Sequence, residues 1–328
     1  MATQIRVWIN KIRLSVEDSK KAKIYKRDSS QYCVENGFVA IGYNVDNIEK
    51  DATWKIYEER LLKNENYNQK DLEVIRSFHD DPKKGDLCWA RTKKGVYYLG
   101  KLRDGIWHYK TDTGFDIHNA KECDWVEIGE ELDNIPSEVI MKFGPGKYKY
   151  MISAEKQETK ILSAHLWVEK HKEDAGEYQY DLKNIDITGL LSTYDYEDII
   201  GIYLQKRYNY YMIASTRGPN TQKYEYELVK NGDGKLNRAF CQVKTGGAGI
   251  NLEDYKEQNE YYLFSDEENY YTGKEKLDNK KLDTFLKENK NLHIIEKQEL
   301  IDFMNKNKDI LPKRVAAFLD LCLSYKKE

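Results

Sequence analysis

Within the stretch KYEYELVKNGDGKLNRAFCQVK, residues 223–244, two acidic side chains are followed by Gln242 and, two residues on, by Lys244. Glu225 or Glu227 supplies a carboxylate, Gln242 an amide oxygen and Lys244 a positive charge. Hard oxygen donors of this kind suit a hydrated Mg²⁺, which takes one or two side chains and keeps positions for water and phosphate. A lysine beside such an ion can orient or activate an attacking water, or neutralise charge that builds on the phosphate. The residue types point to metal-assisted phosphodiester chemistry.

Two strands must position these groups. Residues 223–229 alternate Tyr224, Tyr226 and Leu228 against Glu225, Glu227 and Val229, and residues 238–244 alternate Ala239, Cys241 and Val243 against Phe240, Gln242 and Lys244. A period of 2 on both sides of Asn231-Gly232-Asp233-Gly234, residue types that accept positive φ, predicts an antiparallel hairpin. Alternation sets Glu225 and Glu227 on one face of the first strand and Gln242 and Lys244 on one face of the second, and pairing brings those faces side by side. Upstream, Ile199, Ile200, Tyr203 and Leu204 form an apolar stripe at helical spacing over 194–204.

This order of helix, acidic strand, turn and Gln-x-Lys strand resembles the PD-(D/E)XK nuclease superfamily. The spelling Gln242-Val243-Lys244 is similar to its Mrr-like restriction and archaeal Holliday-junction-resolvase branches. By the resemblance, Glu197 at the opening of the helix is the helix acid, and Glu225, Gln242 and Lys244 complete the catalytic set. Glu197, Glu225 and Gln242 then hold Mg²⁺, with Mn²⁺ as a substitute. The strand acid is Glu where most members carry Asp, and Glu225 and Glu227 both stand as candidates for it. The resemblance implies a mixed sheet flanked by helices over 189–328 and cleavage of DNA.

The chain has 328 residues, enough for two domains, and a formal net charge of -3, so nucleic-acid binding must come from local patches. The five cysteines, at 33, 88, 123, 241 and 322, contain no C-x-x-C pair, and the six histidines show no metal-ligand spacing. No run approaches the roughly 18 apolar residues of a membrane span, and a cytoplasmic protein is expected.

In the first third, residues 4–14 read as a strand carrying Trp8, and 31–42 as a short helix, a turn at Asn36-Gly37 and a buried strand. Residues 53–79 read as two helices. Short strands over 84–91, 96–102, 106–109 and 123–128, separated by Lys-Gly and Asp-Gly turns, predict a small bent barrel. This succession resembles the PUA-like superfamily, in particular EVE-type and Mrr-associated domains. By that resemblance a flipped, modified base is held in an aromatic cage, with Tyr43, Trp54 and Trp89 as the pocket and Trp8 and Trp107 in reserve. Residues 131–188 read as a connector with some structure of its own. Lys244-Thr245-Gly246-Gly247-Ala248-Gly249 reads as a flexible exit from the second hairpin strand.

The expected architecture is α+β: a recognition domain over 1–130, the connector, and a nuclease-like domain over 189–328. The expected function is a metal-dependent DNA endonuclease in modification-dependent restriction or antiviral defence, with a homodimer if both strands are cut. A non-catalytic reader of modified nucleic acid or of a nucleotide signal, and an RNA nuclease, are the alternatives.

Overall fold

The computed structural model describes residues 5–11, 28–46, 48–49, 52–111, 113, 115, 117–144, 150–172, 176–182, 185–213, 224–232, 235–255 and 259–326. The protein is α+β and divides into two compact units, residues 1–190 with 322–328, and residues 191–321.

The first unit contains β1 (Val7–Lys11), α1 (Ser29–Glu35), β2 (Phe38–Ile41), α2 (Trp54–Leu61), α3 (Gln69–Asp80), β3 (Leu87–Arg91), β4 (Tyr97–Leu102), β5 (His108–Tyr109) and β6 (Asn119–Gly129). It continues with α4 (Ser137–Phe143), β7 (Tyr150–Ser153), α5 (Gln157–Lys170) and the single turn α6 (Ile187–Leu190). Local chemistry accounts for the helix starts. The Asp28 side chain accepts from Ser30 N at the head of α1, and Asn68 with Asp71 forms a capping box on α3.

The strands make one sheet in the order β2-β6-β4-β3-β1-β7, with β5 on β6. The long β6 pairs with β2 through its first half and with β4 through its second, which bends the sheet. The curl brings β1 back toward β2: Asn10 Nδ2 donates to Ala40 O at 3.1 Å, although three strands separate the two in the sheet order. Gly100 marks a close approach between β4 and β6, since a Cβ there would collide with Cys123 Sγ and the Trp125 ring. The main core joins Val39, Ile41, Leu102 and Cys123 of the sheet to Tyr57, Leu61, Ile75 and Phe78 of α2 and α3.

The stretch expected to be a connector is built into this unit. Tyr150–Ser153 pairs antiparallel with β1, and Trp89 Nε1 donates to Ser163 Oγ of α5 at 2.9 Å. Pairing across some 140 residues of sequence has no local signature, so a short edge strand here reads as loop until the sheet is seen.

The second unit contains α7 (Thr193–Tyr208), β8 (Tyr211–Ile213), β9 (Tyr226–Gly232), β10 (Lys235–Lys244), β11 (Ile250–Asn251), β12 (Glu260–Ser265), β13 (Tyr270–Thr272) and β14 (Glu275–Lys276). It ends with α8 (Asn279–Glu288), β15 (Leu292–Ile294), α9 (Lys297–Lys306) and α10 (Lys313–Lys326), the last of which runs past residue 321. A mixed five-stranded sheet has the order β15-β12-β10-β9-β8, with β10 parallel to β12 and antiparallel to β9, and a small sheet has the order β11-β13-β14.

Register decides which side chains share a face. Tyr226 pairs with Cys241 and Val243 with Phe264, so these face one way, and Tyr196 of α7 packs on Phe264 with ring centroids 5.1 Å apart. Phe240 pairs with Tyr261 and Gln242 with Leu263 on the other face, where Phe240, Tyr261 and Leu263 join a core with Ile250, Leu252, Tyr270 and Phe285. No helix among the described residues is long and apolar enough to cross a membrane.

Candidate active site and aromatic cluster

The hairpin runs further than its alternation suggests. Asn231 and Gly232 continue the ladder, opposite Leu236 and Lys235, and Asp233 and Gly234 lie outside the described residues. This register places Glu227 opposite Phe240, where it forms an ion pair with Arg238. Glu225, at the bend before β9, reaches the other candidate: Gln242 Nε2 donates to Glu225 Oε1 at 2.6 Å, and Glu225 N donates to Cys241 O at 2.7 Å. Between the two strand acids, geometry selects Glu225.

Gln242 is fully buried (0% exposed), and its Nε2 also donates to Val243 O at 3.2 Å. Its Oε1 is buried without a hydrogen-bond partner among the described residues. A buried amide oxygen left unpaired costs about 1–3 kcal/mol, and such atoms in native structures call for an explanation. Two residues along the same face, Lys244 is partly exposed, and among the described residues no carboxylate pairs with its ammonium group.

Glu197 comes from α7. Its N-terminus is held by a reciprocal capping box: Asp195 N donates to Ser192 Oγ at 3.2 Å, and Ser192 N donates to Asp195 Oδ2 at 2.7 Å. Arg314 Nη1 closes on the same Asp195 oxygen at 2.5 Å, and both side chains are about 10% exposed. Thr193 Oγ1 lies 2.6 Å from Thr245 Oγ1, which sets the start of α7 against the end of β10. Glu197, one turn on, is buried, and its backbone carbonyl accepts from Tyr226 Oη at 3.3 Å. α7, which carries Glu197, therefore packs on the sheet face opposite the one that carries Gln242 and Lys244. Burial first, and then the charges of Glu225 and Glu197, push the Cys241 thiol up to about 12 against a partial offset from the Tyr226 hydrogen bond.

The glycine-rich exit is pinned, contrary to expectation. Gly246 N donates to Asp266 Oδ2 at 2.8 Å, Asn269 Nδ2 donates to Gly247 O at 3.1 Å, and Asp266 N donates to Lys244 O at 3.1 Å. Gly246 and Gly247 hold φ of 67° and 78°, which explains the glycines without a phosphate cradle.

Among the described residues no three His, Cys, Asp or Glu side chains converge on a point that could hold a metal. The donor set at Glu225 and Gln242 is of a different kind, one carboxylate and one amide oxygen. A carboxylate oxygen and an amide oxygen are hard donors of the kind Mg²⁺ takes, and the unpartnered Gln242 Oε1 is the atom such an ion would satisfy.

In the first unit Tyr43 and Trp54 share one aromatic cluster with Trp8 and Trp107, the two reserves, and with Tyr57, Tyr67 and Tyr109. Trp54 stacks on His79 with centroids 3.8 Å apart and meets Trp107 edge-on at 5.2 Å. Trp89 does not join them. It faces away from its neighbour Cys88, a member of that cluster, and is wholly buried toward α5. Every residue from Leu87 to Ala90 is buried, so the strand shows no apolar-polar alternation from which its two faces could be told apart.

Tyr43 has φ 75°, a left-handed backbone that a tyrosine rarely adopts and that costs about 1–3 kcal/mol. Asn119, fully buried and without any sequence signal, holds it there. Its Nδ2 donates to Gly42 O at 2.6 Å and to Tyr57 Oη at 3.0 Å, while its Oδ1 accepts from Trp107 Nε1 at 2.9 Å. Tyr57 Oη in turn donates to Tyr43 O at 2.9 Å. Tyr57, Tyr67 and Tyr109, with His79 and Asn119 against them, were not among the residues singled out for the pocket from the sequence. A separate cleft of about 560 Å³, lined by Tyr32, Glu35, Lys93 and Phe115 among others, opens beside α1.

No protein-family model, curated protein or solved structure matches the chain.

Proposed function

We propose that the protein is a Mg²⁺-dependent phosphodiesterase that cuts DNA, with the second unit as the cutting unit and the aromatic cluster of the first unit selecting the substrate. The observation that carries this reading is the contact of Glu225 with a fully buried Gln242 whose Oε1 has no partner, two residues before Lys244 on one strand face. Glu225 and Gln242 would hold the ion, which when bound supplies charge for the phosphate oxygens and an acidified water. Lys244, partly exposed at the end of β10, holds the attacking water or the phosphate in line by its ammonium protons. Glu197, buried on α7, adds negative charge near Cys241 behind the Glu225–Gln242 pair.

Substrate selection rests on Tyr43, Trp54 and Trp107. A strained, hydrogen-bonded backbone at Tyr43 keeps its ring in place without reorganisation on binding, and an aromatic site discriminates bases by shape and by added groups. Modification-dependent restriction is the role in which a cutting unit and such a selector belong together.

The test is cleavage of plasmid DNA, of cytosine-modified phage DNA and of RNA with Mg²⁺, comparing the wild type with Lys244→Ala and Glu225→Ala on gels. Cutting of modified DNA that disappears in both variants is the expected result. Equal cutting of modified and unmodified DNA would remove the selector, and cutting of RNA alone would redirect the activity.

One observation favours a second reading, a non-catalytic reader of modified nucleic acid. α7, which carries Glu197, packs on the sheet face opposite Gln242, which sets that helix apart from the Glu225–Gln242 pair. Binding of modified DNA by wild type and Lys244→Ala alike, with no cutting of any substrate, would establish it.

A further inference from the structure

Gln242 is oriented with its N–H toward Glu225 and its oxygen away. Nε2 donates to Glu225 Oε1 at 2.6 Å, and Oε1 is buried with nothing to accept from. A cation shared by the two side chains needs the opposite orientation, with oxygen toward oxygen. Turned that way without a positive charge between them, the amide and carboxylate oxygens would oppose each other at hydrogen-bonding distance, which is repulsive. The side chain thus has two orientations, each stable under one condition only. Full burial denies the amide a third solution in which water satisfies both ends.

We propose that the Gln242 side-chain amide is a placeholder for the cation: its N–H partners Glu225 until a divalent ion enters, and ion entry turns the amide over so that Oε1 becomes a ligand. This rests on the reading of Glu225 and Gln242 as a cation site, and adds to it a ligand that arms itself only when the ion is present. A carboxylate at 242 could not do this, because both of its ends are acceptors and neither can hold Glu225 by a hydrogen bond when ionised. The amide keeps Glu225 paired, and the unit unstrained by like charge, until the ion arrives.

The experiment uses the full chain labelled with ¹⁵N-glutamine and follows the side-chain NH₂ resonances through additions of Mg²⁺ and, separately, Mn²⁺. The Gln242 pair is assigned by its loss in Gln242→Met, or in Gln242→Glu should the first variant fold poorly. The expected result is that Mn²⁺ broadens the Gln242 pair selectively and that Mg²⁺ shifts it, with loss of the splitting between the two protons that comes from one of them being held by Glu225. Selective broadening by Mn²⁺ without any Mg²⁺-induced change in the pair would overturn the turning amide and leave the cation site standing. No selective broadening by Mn²⁺ would overturn the cation site itself, and the placeholder with it. A second measurement is thermal unfolding of Gln242→Glu at fixed pH. The expected outcome is a midpoint below wild type without divalent ion and a larger upward shift with Mg²⁺ than wild type shows; equal shifts in both proteins would count against the placeholder.

Discussion

Removing the side chain of Asp195 tests whether the start of α7 is held as its contacts imply. Asp195→Ala deletes the carboxylate's contacts with Ser192 and with Arg314 together. The capping box at Ser192 is worth about 1 kcal/mol. The Arg314 guanidinium, about 10% exposed and 2.5 Å from Asp195 Oδ2, loses this carboxylate, and breaking a buried pair costs about 3–5 kcal/mol. Exposed ion pairs contribute no more than about 1 kcal/mol, so burial decides the size of the effect. The expected loss is about 4–6 kcal/mol, a large share of the 5–15 kcal/mol that holds an ordinary domain together. Asp195→Asn keeps an acceptor for Ser192 N and loses only the charge, so it falls short of the alanine variant by about the cap, near 1 kcal/mol. Pairing Asp195→Ala with Arg314→Met removes both halves of the pair and recovers most of the loss, because a buried pair can be replaced by apolar groups at little net cost. All six tryptophans precede residue 191, so their fluorescence follows the first unit, and urea unfolding of the second is read by far-UV ellipticity. A loss below about 1 kcal/mol in Asp195→Ala would refute the buried pairing and place Arg314 in solvent.

Two further outcomes follow from the first unit. Trp89→Ala opens a cavity beside Ser163 and costs about 3–5 kcal/mol in urea unfolding without changing preference for modified DNA. Trp54→Ala loses a partly exposed stack worth about 0.5–1.5 kcal/mol and abolishes that preference in fluorescence-anisotropy binding; the reverse pattern would return Trp89 to the pocket. Lys121, fully buried, donates from Nζ to His79 O at 2.8 Å and to Pro82 O at 2.7 Å, and burial lowers its ammonium group to about 8. The unfolded chain, with lysine near 10.4, holds this proton more tightly than the folded one. The penalty for burying the charge is therefore complete below about pH 8 and is relieved as pH rises toward about 10.4. The stability of wild type relative to Lys121→Met should rise across that window, and a flat or falling difference in urea midpoints would contradict the lowered value.

Much of the local structure was legible in the residues. The alternation around 223–244 marks β9 and β10, the stripe Ile199, Ile200, Tyr203 and Leu204 marks α7, and the turns at Gly37, Gly95 and Gly105 fall where positive φ is needed. These are short-range consequences of side-chain period and backbone sterics, and they require no partner to be seen. The choice of Glu225 over Glu227 was not legible, because period 2 puts both on one face and only the cross-strand register says which of them stands beside Gln242. Nor was the side on which α7 packs: period 2 groups Gln242 with Lys244 but carries no information on whether α7 or the small β11-β13-β14 sheet covers them.

The sequence by itself determined that the chain is α+β, where its hairpin and helices lie, and that a carboxylate, an amide and a lysine stand at a spacing fit for one strand face. Tertiary structure decided the rest, by contacts between residues far apart in the chain. Strand register joined Glu225 to Gln242 and paired Glu227 with Arg238; β1 recruited Tyr150–Ser153 out of an expected connector. Burial on both sides of β3 turned Trp89 away from Trp54 and toward Ser163. Each of these depends on which surfaces meet, and the free energy of that meeting belongs to the pair of surfaces and to neither segment alone.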